Sequence, residues 1–236
     1  MNKGAPPRSS GHMAEIKKSG SKGTKTGKAP ERVRRDPERT RARILEAARI
    51  EFAQRGLGGA RVDQITARAG SNKRMIYYYF GNKEALFLAA LESAYEHIRK
   101  AEQSLKLTDL DPVEGMRRMV RFTWEYYLAH PEFITLLNSE NLHRARHLKR
   151  SKEIQALHSP LVAMLEDLLA RGQRSGVFRR GVDAVQLYIS IAALGYFYLS
   201  NNHTLSTIFG RDLMRPQALQ QRLTHMTDLV LVYLSK

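Results

Sequence analysis

The chain has 236 residues, 42% of them hydrophobic, no cysteine and a formal charge of +16. That length and apolar share allow one large or two modest domains with a real core. The missing cysteines exclude disulfide frameworks, thiolate nucleophiles and Cys-ligated zinc, and with no apolar run near a membrane span and no secretory h-region a soluble cytoplasmic protein is expected.

Residues 1–31 hold seven Lys/Arg against two acids and scarcely a large apolar side chain. Such a segment cannot offset its ordering entropy, so residues 1–35 are expected to be a disordered basic arm. Within it, Gly11-His12-Met13 resembles a cloning remnant, which would put the natural start at Met13. Residues 32–83 carry thirteen Lys/Arg against five acids, and residues 84–236 nineteen against sixteen. A basic patch this dense on a small folded unit is a footprint for polyanion binding, although charge alone does not separate nucleic acid from anionic lipid.

Asp36-Pro37 reads as an N-cap and first helical position, and Ile44, Leu45, Ala47, Ala48 and Phe52 share one helical face up to Arg55-Gly56. Val62, Ile65 and Ala69 mark a short second helix closed by Gly70. Asn72 can cap a third through about Tyr79; Gly81-Asn82 breaks it, and Lys83 starts a long amphipathic helix to about Lys100. Beyond, segments 112–130, 151–175, 182–200 and 216–234 each suit a bundle helix, and residues 201–215 form a connection whose apolar members are expected to pack. Strand-like alternation and internal repeats are missing, so the fold class is all-α.

Two short helices joined by a glycine turn and backed by an amphipathic helix make a helix-turn-helix. The third helix aims its N-terminal side chains and positive dipole end at an anion. Lys73 and Arg74 stand there and both can donate to guanine O6 and N7. Ile76 and Phe80 are four apart and belong inward. Tyr77, Tyr78 and Tyr79 are then expected across the exposed arc as phosphate donors, with Lys83 a further phosphate contact.

On these residues the chain resembles the TetR family of transcriptional regulators. The matching stretches are RTRARILEAARIEFAQRG (39–56), VDQITARAGSNKRMIYYYFGNKEALF (62–87) and, less specifically, RGQRSGVFR (171–179). The resemblance implies an N-terminal three-helix helix-turn-helix DNA-binding domain over residues 36–83, with the start of the connecting helix to about residue 97. A helical-bundle ligand-binding and dimerisation domain over residues 84–236 would follow. It implies double-stranded operator DNA, a second copy and a small-molecule effector as partners, with repression as the usual mode. By position, Lys73 and Arg74 resemble base readers, Tyr77, Tyr79 and Lys83 phosphate contacts, and Arg39 and Arg41 backbone contacts. Ala60-Arg61 stands where the family usually has Thr or Ser, which weakens the second helix's cap unless Arg61 offsets it with a phosphate contact. Arg74-Met75 replaces a frequent Gly-Thr, so no operator sequence can be borrowed.

In the bundle, Trp124, Tyr127, Asn138 and Tyr188 could line an effector pocket, though burial as core is the alternative for each. The stripes Leu187, Ile191, Leu194, Tyr198 and Leu219, Leu223, Met226, Val230 are either core of one chain or, by family analogy, a four-helix dimer interface. His143 and His147 stand at i, i+4, but Arg144, Arg146, Lys149 and Arg150 surround them, and neither a metal site nor a cofactor is expected. No catalytic arrangement emerges, and no enzymatic activity is expected. The competing reading is a polybasic peripheral membrane or scaffold protein without sequence preference.

Overall fold

The computed structural model describes residues 36–236, apart from the side chains of residues 155–159. The basic arm expected over residues 1–35 lies outside them. Among the described residues ten α-helices follow one another: α1 (Pro37–Gly59), α2 (Val62–Ala69), α3 (Lys73–Phe80), α4 (Lys83–Gln103), α5 (Pro112–Ala129), α6 (Pro131–Leu142), α7 (Lys152–Arg174), α8 (Ala184–Ser200), α9 (Asn202–Phe209) and α10 (Pro216–Leu234). Single 3-10 turns occur at Leu107–Asp109 and Leu148–Arg150, and no strand occurs among the described residues. None of the described helices is long and apolar enough to cross a membrane.

The helix starts follow from local chemistry. The carboxylate of Asp36 accepts from the Glu38 and Arg39 amides, that of Asp111 from Val113 and Glu114, and that of Asp183 from Gln186. These bonds satisfy donors that no helical carbonyl can reach. Pro37, Pro112, Pro131 and Pro216 occupy first-turn positions where a missing N–H costs nothing. The break at Gly56 is real: its φ of 62° interrupts α1, and one further turn brings Leu57 into the core.

Helix α6 is the element that patterning did not separate. His130 offers no side-chain cap, and Pro131 reads as punctuation rather than as a first helical residue. Phe133, Ile134 and Leu136 are nevertheless buried, and α6 lies against α1. The Ser139 hydroxyl accepts the Leu57 amide at 3.1 Å, and Arg49 of α1 pairs with Glu132. At its other end, the carboxylate of Glu140 holds the His147 ring at 2.6 Å and the amides of His147 and Leu148.

Helices α5, α7, α8 and α10 pack together, and α4 joins them to α1; the Phe52 and Phe87 rings meet edge to face at 5.1 Å between α1 and α4. The weakly matching segment 171–179 has a packing reason. A Cβ on Gly172 would lie 2.0 Å from Phe178 Cδ2, so the bare backbone admits that buried ring.

Of the stripes offered either as core or as a dimer face, Leu187, Ile191, Leu223, Met226 and Val230 are buried within this one chain, and Leu194, Tyr198 and Leu219 are half-buried. Periodicity identifies an apolar face, and the bundle takes the more continuous one for itself. The connection 201–215 contains a helix, α9, yet Ile208 and Phe209 at its end are 72% and 65% exposed.

Gly172→Ala forces Phe178 out of its seat. Overpacking of this kind typically costs about 1–3 kcal/mol, and the variant should melt earlier by circular dichroism with its helix content unchanged at low temperature.

Candidate nucleic-acid interface

The turn between α2 and α3 is made by Gly70 in the left-handed region, φ 56° and ψ 43°, a conformation open to glycine at no steric cost. Asn72 then caps α3, its Oδ1 accepting the Met75 amide at 3.1 Å. Ile76 is fully buried and Phe80 nearly so, in the same core as Ile44, Phe52 and Ile65. With those two anchors seated four residues apart, rotation about the helix leaves Asn72, Lys73, Arg74, Tyr77 and Tyr78 in solvent.

The tyrosines divide two to one. Tyr77 and Tyr78 are 51% and 76% exposed, whereas Tyr79 is half-buried, packed on the core and edge-on to Tyr78 and Phe80. Tyr79 lies three residues after Ile76, on the flank of the inward stripe, so the expectation that all three fan across the outer arc fails for it.

The leading cations differ as well. Lys73 Nζ sits 2.7 Å from Asp63 Oδ1 on α2, and that hydrogen bond pushes the ammonium pKa up. Arg74 is exposed and makes no ion pair with any described residue. Arg74 thus stands free in solvent at the start of α3, while Lys73 is tied to Asp63. Around them stand Arg39, exposed on the first turn of α1, and Arg41, whose guanidinium lies 5.1 Å from the centre of the Phe80 ring. Arg61 is exposed at the start of α2, and Lys83 is half-buried in the first turn of α4.

The weak cap of α2 has a replacement that patterning did not reveal. Arg61 makes no side-chain cap; its amide donates instead to Glu51 Oε1 at 3.1 Å. Glu51 is 2% exposed, an acid set on the apolar face of α1 beside the positive end of α2. The signal was an acid between Ala48 and Phe52 in the inward stripe.

The four residues offered for an effector pocket separate. Tyr127 and Asn138 line one cavity of about 310 Å³ between α5, α6, the end of α8 and the start of α9, with Ile134, Thr135, Ser200 and His203. Asn138 is held there by the Tyr196 hydroxyl and donates to Ser200 Oγ at 3.0 Å. Trp124 is buried against Tyr198, with ring centres 5.6 Å apart. The Tyr188 hydroxyl accepts from Arg99 Nη2 at 2.7 Å, in a buried cluster where Arg99 also meets Glu102 at 2.5 Å. Burial drives the Glu102 carboxyl up to about 7 against the pull of Arg99, and raises the Tyr188 and Tyr127 phenols. His143 and His147 turn their Nδ1 atoms to the Ser139 carbonyl and to Glu140, and no group of three potential ligands is arranged for a metal among the described residues.

A glycine-turned helix pair with an exposed basic leading edge, set on an all-helical body, defines a helix-turn-helix DNA-binding regulator. The comparisons agree. Residues 44–90 match the family described as bacterial regulatory proteins, tetR family, and residues 112–230 match the tetracyclin repressor-like C-terminal domain. The HTH-type transcriptional repressor NicS of Pseudomonas putida is 44% identical over 82% of this chain and 92% of its own. The HTH-type transcriptional repressor SCO4008 of Streptomyces coelicolor is 37% identical over 68% of this chain and 78% of its own. Among solved structures, the putative transcriptional regulator SCO4942 of Streptomyces coelicolor superposes with a TM-score of 0.60 at 26% identity, covering 81% of this chain and 96% of that one. The chain belongs to the TetR family: it is a DNA-binding transcriptional repressor, and the peripheral-membrane reading is set aside.

Arg74→Ala should cost about 1–3 kcal/mol on a cognate duplex and little on a mixed-sequence one. Tyr77→Phe and Lys83→Gln should weaken both alike, and Lys83→Gln should lower the salt slope by about one. Fluorescence anisotropy on the two duplexes across a salt series separates these outcomes.

Proposed function

We propose that the repressor acts as a homodimer that releases its operator when a small molecule fills the Asn138 cavity. In this reading α1–α3 and the start of α4 form the DNA-binding domain, and the remainder binds effector and partner. The carrying observation is the leading edge of α3, where Arg74, Tyr77 and Tyr78 stand free of the core that Ile76 and Phe80 fix. Two such helices, related by a two-fold axis, would enter successive major grooves about 34–36 Å apart.

The face that supports the dimer is the outer one of α8 and α10. Val185, Ile189 and Phe197 on α8 and Leu229, Val232 and Tyr233 on α10 are 45–73% exposed, an apolar patch of the kind that marks a protein contact. A groove of about 420 Å³ between these helices, with Ala193 and Leu194 in its floor, is lined largely by apolar side chains.

Release requires an effector that binds two conformations with different affinity. Helix α6 supports that coupling. Asn138 faces the cavity, and its neighbour Ser139 holds the Leu57 amide just beyond the break in α1. A ligand that draws Asn138 toward itself displaces the hydroxyl that seats α1, and with it the frame carrying α3. The cavity wall joins the Tyr127 ring to the amide of Asn138 and the Ser200 hydroxyl, which suits a small ring-bearing molecule with hydrogen-bonding substituents.

Light scattering on an eluting peak should give twice the 26.9 kDa of the chain. Ile189→Glu with Phe197→Glu should give a folded monomer that binds operator at least about tenfold more weakly, because one chain grips one half-site. A wild-type monomer, or a doubly substituted chain still dimeric, would contradict the assignment.

A further inference from the structure

A larger cavity than the one at Asn138, about 660 Å³, opens between the end of α8, the α9–α10 connection and the first turns of α10. Arg211, Arg215, Arg222 and His225 line it, with Asp212 as the acid among its lining residues. Asp212 is turned to the backbone, where its Oδ1 accepts the Met214 amide at 2.9 Å. None of the three arginines forms an ion pair with a described residue.

Arg222 is fixed in place rather than waving in solvent. Its Nη2 donates to the Leu194 carbonyl at 2.7 Å, and its guanidinium carbon lies 5.2 Å from the centre of the Tyr198 ring. Tyr198 is itself held, its hydroxyl donating to the Leu213 carbonyl at 2.7 Å, and the Leu213 amide donates to Ser206 Oγ at 3.2 Å. Gly210, with φ 60°, ends α9 and lets the Arg211 amide return to the Ser206 carbonyl. The wall is thus a tied loop carrying cations. Burial pushes the Arg222 pKa down, no carboxylate pairs with it among the described residues, and its Nε is buried with no hydrogen-bond partner. A guanidinium in this situation lacks an anion.

We propose that this cavity is a second ligand site, separate from the Asn138 cavity, which takes a small oxyanion-bearing molecule, a carboxylate or a phosphate, on the guanidinium of Arg222 with Arg211 and Arg215 at its lip. The Leu194 carbonyl and the Tyr198 ring already hold the guanidinium, so a carboxylate or a phosphate meets an ordered cation at little ordering cost. The site needs one chain only and does not depend on the dimer. Arg222 also borders the apolar groove between α8 and α10, so a bound anion would lie at the margin of that face.

Calorimetric titration of the full chain with orthophosphate, and separately with citrate, at physiological chloride tests this. The expected result is saturable uptake of one anion per chain for at least one probe, and the tighter probe tells phosphate from carboxylate. Arg222→Gln and Arg215→Gln should each weaken it by about tenfold or more, while Arg121→Gln, which removes an exposed charge on α5, leaves it unchanged. Arg215 is exposed on the lip, so its variant keeps the test valid if Arg222→Gln fails to fold by circular dichroism. Uptake that is absent, or equal in the three variants and so only the counter-ion atmosphere of a basic chain, would overturn the proposal. So would a wild type that takes up no anion while Arg222→Gln loses dimer mass, since a partner's carboxylate would then be the missing acid. A wild type that is monomeric yet binds one anion would leave this site standing and remove the dimer instead.

Discussion

Burial of Ile76 and Phe80 on one side of α3 is the constraint on which the rest depends. A helix of eight residues has no stability of its own. Its orientation comes from those two side chains and from the left-handed glycine that delivers the chain to them. Once they are seated, every other residue of α3 has its direction assigned. The consequence is a cationic, phenolic edge held rigid by apolar packing on its back. Asp63 adds a second level, because it occupies Lys73 and leaves Arg74 as the unpaired cation at the helix start. The two basic residues, equal in sequence, are therefore unequal in readiness.

A second structural theme is the use of α6 as a strut. It meets α1 through Arg49–Glu132 and through Ser139 and the Leu57 amide, it presents Asn138 to the interior, and it closes on the buried Glu140–His147 contact. His147 lies edge-on to Phe87 of α4, whose ring also meets Phe52 of α1. A displacement of one helix would therefore be felt on two sides of the frame beneath α3. Polar contacts of this sort add little net stability over apolar packing, but they fix which partner each helix keeps.

Legibility in the sequence followed the range of the interactions. Caps, glycine turns and the inward stripe of α1 are local, so α1 to α4 could be delimited from Asp36, Gly70 and Asn72, and the four bundle segments from the proline and glycine breaks between them. Long-range partners could not. Nothing in the spacing tells that Glu51 replaces the cap of α2, that Asp63 reaches Lys73, or that Tyr188 points to Arg99 instead of lining a cavity with Asn138. The stripe Leu187–Ile191 and its counterpart Leu223–Met226–Val230 were apolar enough to recognise, but apolarity does not say which side of a helix meets its own chain. The outer residues Val185, Ile189 and Phe197 form a second, four-residue period on the same helix, visible only once the inner one is known to be taken. Tyr79 shows the same limit at a single residue, since a flank position packs or not according to its neighbours.

Selection of bound sequences by the wild-type chain from a random duplex pool bears most directly on the central claim that α3 reads DNA from a fixed, outward edge. The account predicts enrichment of a pseudo-palindrome with half-sites one helical turn apart and strong preference at a few adjacent base pairs in each. A pool that emerges unenriched, or enriched for a site with no internal symmetry, would contradict it.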